Sequence, residues 1–127
     1  MYRVKDVDEE FHKQTVARIQ QASRTVEGLI KQQPDNAQWY NHWAWLVSNT
    51  EGDYAQAVKH SLRSLELSPD SPSYLDTLGR CYYAAGEFED AVRVQREAVR
   101  QHPHLQVMRD QLELIESALA EHKSKGK

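Results

Sequence analysis

The feature that most constrains this chain is an internal repetition at an interval of thirty-four residues. Gly52 recurs as Gly86, Tyr54 as Phe88, Ala57 as Ala91 and Pro69 as Pro103, while Pro34 stands thirty-five residues before Pro69. A self-similar period in the thirties points to a stacked array of helix–turn–helix units. Such units bury one face against the next and present a long curved surface to something else, and they rarely carry chemistry.

Hydrophobic spacing agrees. No period-2 alternation bounded by tight turns occurs, whereas helical periodicity runs throughout. From about Asp8 to Gln33 the apolar residues Phe11, Val16, Ile19, Ala22, Val26 and Leu29 fall three to five apart, as an amphipathic helix requires. Asp6, Asp8, Glu9 and Glu10 crowd its start, where negative charge complements the helix dipole, and Pro34 closes it. Further helices are expected at about Ala37–Asn49, Asp53–Leu67, Pro72 to just before Gly86, Glu87–Gln101 and Leu105–Glu121. Ser71 and Pro72 supply a capping hydroxyl and a first-turn proline for the fourth. Gly52 and Gly86 suit turn conformations that a Cβ penalises. The sixth helix holds Leu105, Met108, Leu112, Ile115 and Leu119 on one face, and its outward side reads as the polar surface of a terminal cap.

Composition narrows the function. The 127 residues fit one domain, and sixteen Lys and Arg against nineteen Asp and Glu leave a net charge of −3 with no basic stripe, which argues against nucleic acid. The one basic run, Lys123, Lys125 and Lys127, reads as a frayed tail. A single cysteine, Cys81, allows neither an intrachain disulfide nor a thiolate metal cluster and reads as a small buried hydrophobe. No apolar run approaches the length of a membrane span, and no leader stands at Met1, which favours the cytoplasm without fixing the compartment.

No metal or cofactor is expected. His102 and His104 flank Pro103 at a helix–helix turn without further ligands nearby, and His12, His42, His60 and His122 are dispersed. No HExxH, phosphate loop or nucleophile elbow is present. Glu87, Glu89 and Asp90 gather at a helix start, where the dipole accounts for them, so no enzyme is expected.

The run from Tyr74 to Ala91, followed by Ala98 and Pro103, resembles a tetratricopeptide repeat. Leu75, Leu78, Gly79, Tyr82, Gly86, Phe88, Ala91, Ala98 and Pro103 fill the places of that pattern, and Gln95 departs from it where an aromatic is usual. The preceding unit fits with Tyr40, Trp43, Ala44, Val47, Gly52, Tyr54, Ala57 and Pro69, with Ser61 and Ser64 replacing an aromatic and an alanine. The resemblance implies an all-α solenoid of antiparallel helix pairs, of the short bacterial type, in a single domain. Its parts are a long N-terminal helix or half repeat over residues 1–36, repeats over 37–71 and 72–104, and a capping helix and tail over 105–127.

In that family the first helix of each repeat lines a concave groove. Carried over position by position, the resemblance places Asn41, Trp45, Ser48 and Asn49, then Asp76, Arg80, Tyr83 and Ala84, on that face, with Asn41, Trp45, Asn49, Asp76, Arg80 and Tyr83 as the candidate contacts. Trp45 reads equally as packing against the first helix. The family's clamp for a C-terminal carboxylate uses Lys and Asn in these places, and Trp45 and Asp76 break that pattern. The implied function is a non-catalytic scaffold that binds a protein or peptide. Two alternatives stay open: a structural module that self-associates through the N-terminal helix, where Phe11 and Val16 overhang shorter partners, and an accessory C-terminal domain of a larger protein.

Overall fold

The computed structural model describes residues 4–69 and 71–125, the side chains of residues 4–8 excepted. It contains six helices: α1 Val4–Gln32, α2 Ala37–Ser48, α3 Tyr54–Leu67, α4 Pro72–Ala84, α5 Phe88–Gln101 and α6 Gln106–Lys125. Each packs against the next as consecutive antiparallel pairs, and α2 also touches α4, which touches α6. This is the all-α arrangement of a tetratricopeptide-like solenoid.

Local chemistry explains the boundaries. The side chain of Asn36 accepts from the backbone N–H of Gln38 at 3.0 Å to start α2, and Asp53 caps α3 by accepting from Gln56 N–H at 3.0 Å. Pro72 occupies the first turn of α4 as expected, but the Ser71 hydroxyl does not cap it. It pairs instead with the hydroxyl of Ser73 at 3.2 Å. Gly86 adopts φ +80, the left-handed conformation that favours glycine at a turn. Gly52 does not, so its smallness serves packing: a Cβ there would sit 2.9 Å from Cγ1 of Val47.

Two further expectations are corrected. Lys123 and Lys125 belong to the last turn of α6, where cations complement the helix dipole, and Nζ of Lys125 lies 3.0 Å from Glu121. Lys127 and the side chains of Asp6 and Asp8 lie outside the described residues. The outward side of α6 is not uniformly polar either, because Val107 is 74% and Leu114 45% exposed.

Two clusters make the core. Val26, Trp43, Ala44, Val47, Ala57 and Cys81 join α1 to α4, and Leu78, Tyr82, Ala91, Val92, Val94 and Ile115 join α4 to α6. Val58 packs against both, so the interior is continuous. Cys81 is fully buried, and burial pushes its thiol up to about 11, which suits a packing role. α1 is about 43 Å long at 1.5 Å per residue, against about 18 Å for α2, and α2 is the helix it packs on. Phe11 is consequently 70% exposed, while Val16 is half-buried.

His60 on α3 meets the edges of two aromatic rings on α2, Trp43 at 4.7 Å and Tyr40 at 5.3 Å between centroids. Burial lowers its pKa from the ordinary value, opposed by the Glu27 carboxylate on α1. Folding therefore prefers neutral imidazole. Its contribution is intact above about pH 6.5 and is lost as pH falls through the lower folded value. Urea unfolding midpoints should drop on moving from pH 7 to pH 5, and His60→Gln should flatten that slope; an equal slope in both proteins would show that His60 does not titrate with folding.

Candidate functional site

Of the six candidate contact positions, Trp45 and Asn49 are exposed, and Asn41, Asp76, Arg80 and Tyr83 are half-buried. Trp45 projects from the last turns of α2 with 52% of its surface exposed, although Trp43 on the same helix is buried at 5%. The reading of Trp45 as packing against α1 does not match that exposure. Arg80 on α4 holds its guanidinium carbon 5.4 Å from the centroid of the Tyr83 ring, an i,i+3 cation–π pair. Both residues are half-buried.

The three remaining polar positions differ in what they meet. Asn49 terminates α2, and its Nδ2 donates to the carbonyl of Trp45 at 2.8 Å. Asn41 is half-buried, with Oδ1 enclosed and without a hydrogen-bond partner, a condition few native polar atoms are left in. Asp76 is held by amides: Nε2 of Gln95 donates to its Oδ1 at 2.7 Å and Nε2 of Gln111 at 3.2 Å. Burial raises the Asp76 pKa, opposed by the Gln95 hydrogen bond and by Arg80. The structure thus joins Arg80 to Tyr83 and Asn49 to Trp45, each pair within one helix.

Sequence reasoning missed the surroundings of Tyr83. Its ring tilts against Phe88 at the start of α5, 5.9 Å between centroids, and Phe88 meets His122 of α6 edge-on at 5.4 Å. An open cleft of about 450 Å³ lies between the C-terminal ends of α4 and α6, lined by Tyr83, Ala84, Phe88, Ala118, His122 and the Glu121–Lys125 ion pair. The period-34 pattern marks Phe88 as an interlayer residue, but nothing in the sequence shows that α6 continues to Lys125 and so forms the second wall. Gln95 and Gln111 were missed as a pair for a related reason. Gln95 was visible as a departure from the repeat pattern, and only the fold brings Gln111 to it.

Catalytic groupings do not emerge. Among the described residues, no set of three or more His, Cys, Asp or Glu is placed to hold a metal ion. The His102 and His104 rings lie 5.6 Å apart at the turn before α6. No described helix is long and apolar enough to cross a membrane.

Known proteins give partial matches. No family model matches the chain. It is 29% identical over 89 residues to the TPR repeat-containing protein PA4667 of Pseudomonas aeruginosa, covering 70% of this chain and 15% of that protein. It is 37% identical over 81 residues to the probable biofilm formation methyltransferase WspC of Pseudomonas putida, covering 64% of this chain and 19% of that one. A third match, 36% over 53 residues, is to the BBSome complex member BBS4 homolog of Drosophila melanogaster, covering 42% of this chain and 11% of the other. The chain therefore spans a fifth or less of the length of these relatives. It is a distant relative of a TPR-repeat protein, and its paired-helix architecture is consistent with a TPR-like repeat family.

Proposed function

We propose that the chain is a tetratricopeptide array, with repeats over 37–71 and 72–104, that binds a protein or peptide on the face formed by α2, α4 and α6 and performs no catalysis. The observation that carries this reading is Trp45, an aromatic side chain 52% exposed on a helix whose neighbouring tryptophan is buried. Large exposed aromatics and arginines are the side chains that most often anchor a partner. Trp45 and Tyr83 offer apolar platforms, and the Arg80 guanidinium can take a carboxylate through two parallel N–H donors. Asn41 and Asn49, four residues to either side of Trp45, and Asp76, four before Arg80, are the polar neighbours this reading assigns to them.

The ligand class to try first is a short peptide with an apolar side chain and a free terminal carboxylate, titrated against its C-terminal amide. Trp45→Ala and Arg80→Lys should each weaken binding by about 2 kcal/mol, roughly thirtyfold, with unfolding midpoints unchanged. Equal affinity for acid and amide, or no loss in either variant, would remove the site from this face.

Two other readings have observations in their favour. Phe11, 70% exposed beyond the end of α2, favours self-association through α1. That reading calls for a concentration-dependent mass in sedimentation that Phe11→Ser abolishes and Trp45→Ala leaves. The short share of each relative that the chain covers, at most 19%, favours an accessory domain within a larger protein.

A further inference from the structure

Gln95 on α5 is fully buried, an unusual place for an uncharged amide unless every polar atom is satisfied. Here they are. Its Nε2 donates to Oδ1 of Asp76 at 2.7 Å and to the backbone carbonyl of Met108 at 3.1 Å, and its Oε1 accepts from Nε2 of Gln111 at 2.9 Å. Nε2 of Gln111 also donates to the backbone carbonyl of Asp76 at 2.9 Å. One side chain of α5 thereby ties the second turn of α4 to the first two turns of α6. Gly79 provides the space, because any Cβ at that position would collide with Oε1 of Gln95.

The placement of these bonds is one-sided. Asp76, Met108 and Gln111 lie in the N-terminal halves of α4 and α6, and the cleft opens at the opposite ends, between Tyr83 and Ala84 on one side and Ala118 to Lys125 on the other. The two helices leave Asp76 and Gln111 in the same chain direction, each antiparallel to α5. Apolar packing at Gln95 would tolerate sliding, whereas directional hydrogen bonds among Gln95, Asp76, Gln111 and the Met108 carbonyl hold in one register only.

We propose that Gln95, Asp76 and Gln111 form a polar clamp that fixes the crossing of α4 and α6 and thereby sets the width of the cleft beside Tyr83. The three are positioning residues for the binding face, and the functional meaning of the clamp rests on the binding reading above. Oδ1 of Asp76 is spent on two amides rather than offered to a ligand.

The test measures geometry without any ligand, so it fails or succeeds independently of binding. Cys81 is fully buried, so spin labels attach at introduced cysteines. One pair, Ser73→Cys with Glu113→Cys, reports the clamped end; another, Glu87→Cys with Ser124→Cys, reports the mouth of the cleft. Gln95→Met conserves volume without the amide, and Asp76→Leu removes the acceptor. Both are expected to shift and broaden the distance distribution at the mouth. Asp76→Asn keeps an oxygen that accepts from both amides and should retain the parent distribution. A packing role alone leaves the mouth distance unchanged in folded Gln95→Met and Asp76→Leu, and that result overturns the clamp. If those variants do not fold, Gln111→Ala decides. It removes the α6 donors at a half-buried site, and an unchanged mouth distance in it also overturns the proposal.

Discussion

Replacing Gly79 by leucine should lower folding stability by about 3 kcal/mol, the sum of overpacking and of stranding a buried amide. Gly79 is buried on α4 with the Gln95 side chain against it. A flexible neighbour would swing aside, but Gln95 is held at both ends of its amide by Asp76, Met108 and Gln111. The new side chain must either part α4 from α5 or expel Gln95 and leave the Asp76 carboxylate short of a donor in a half-buried site. Gly79→Ala meets the same oxygen with one atom and should fall between leucine and the parent. Urea unfolding followed by circular dichroism reads all three proteins. A leucine variant with the parent's midpoint would show that Gln95 does not occupy the space above Gly79.

That expectation also marks where the sequence was readable. The thirty-four-residue period and the Pro–Gly punctuation locate all six helices to within a few residues, because stacked units repeat their turn chemistry along with their apolar face. Close approach at Gly79 was legible from the same pattern. What it approaches was not. Periodicity assigns a face to Gln95 but says nothing of a hydrogen-bond partner sixteen residues away on the next helix of the stack. The last turn of α6 escaped for a different reason: His122, Lys123 and Lys125 carry no apolar signal, whereas cations there complement the helix dipole, and the two lysines lie beside Glu89 and Glu121. At the binding face, the positions taken from the family pattern divide by environment. Trp45 stays open, Arg80 turns onto Tyr83, and Asp76 is consumed by the two glutamine amides.

Two of the three tryptophans of α2, Trp43 and Trp45, should respond in opposite ways to truncation. Trp43 is 5% exposed, packs with Val26, Ala44, Val47 and Ala57, and donates its indole N–H to Oε1 of Glu27 at 3.1 Å. The edge contact with His60 adds a third helix to the same ring. Trp43→Ala should therefore cost about 3–5 kcal/mol through lost burial and the cavity left between α1, α2 and α3. It should loosen α1 first, since α2 is the helix α1 packs on. Trp45, two residues along and 52% exposed, loses little on truncation, within about 1 kcal/mol. Unfolding midpoints of the two alanine variants, with hydrogen exchange across α1, test the contrast directly. Comparable losses in both would place Trp45 in the core and withdraw it from the binding face. A Trp43→Ala protein as stable as its parent would mean that α1 is not secured through this ring.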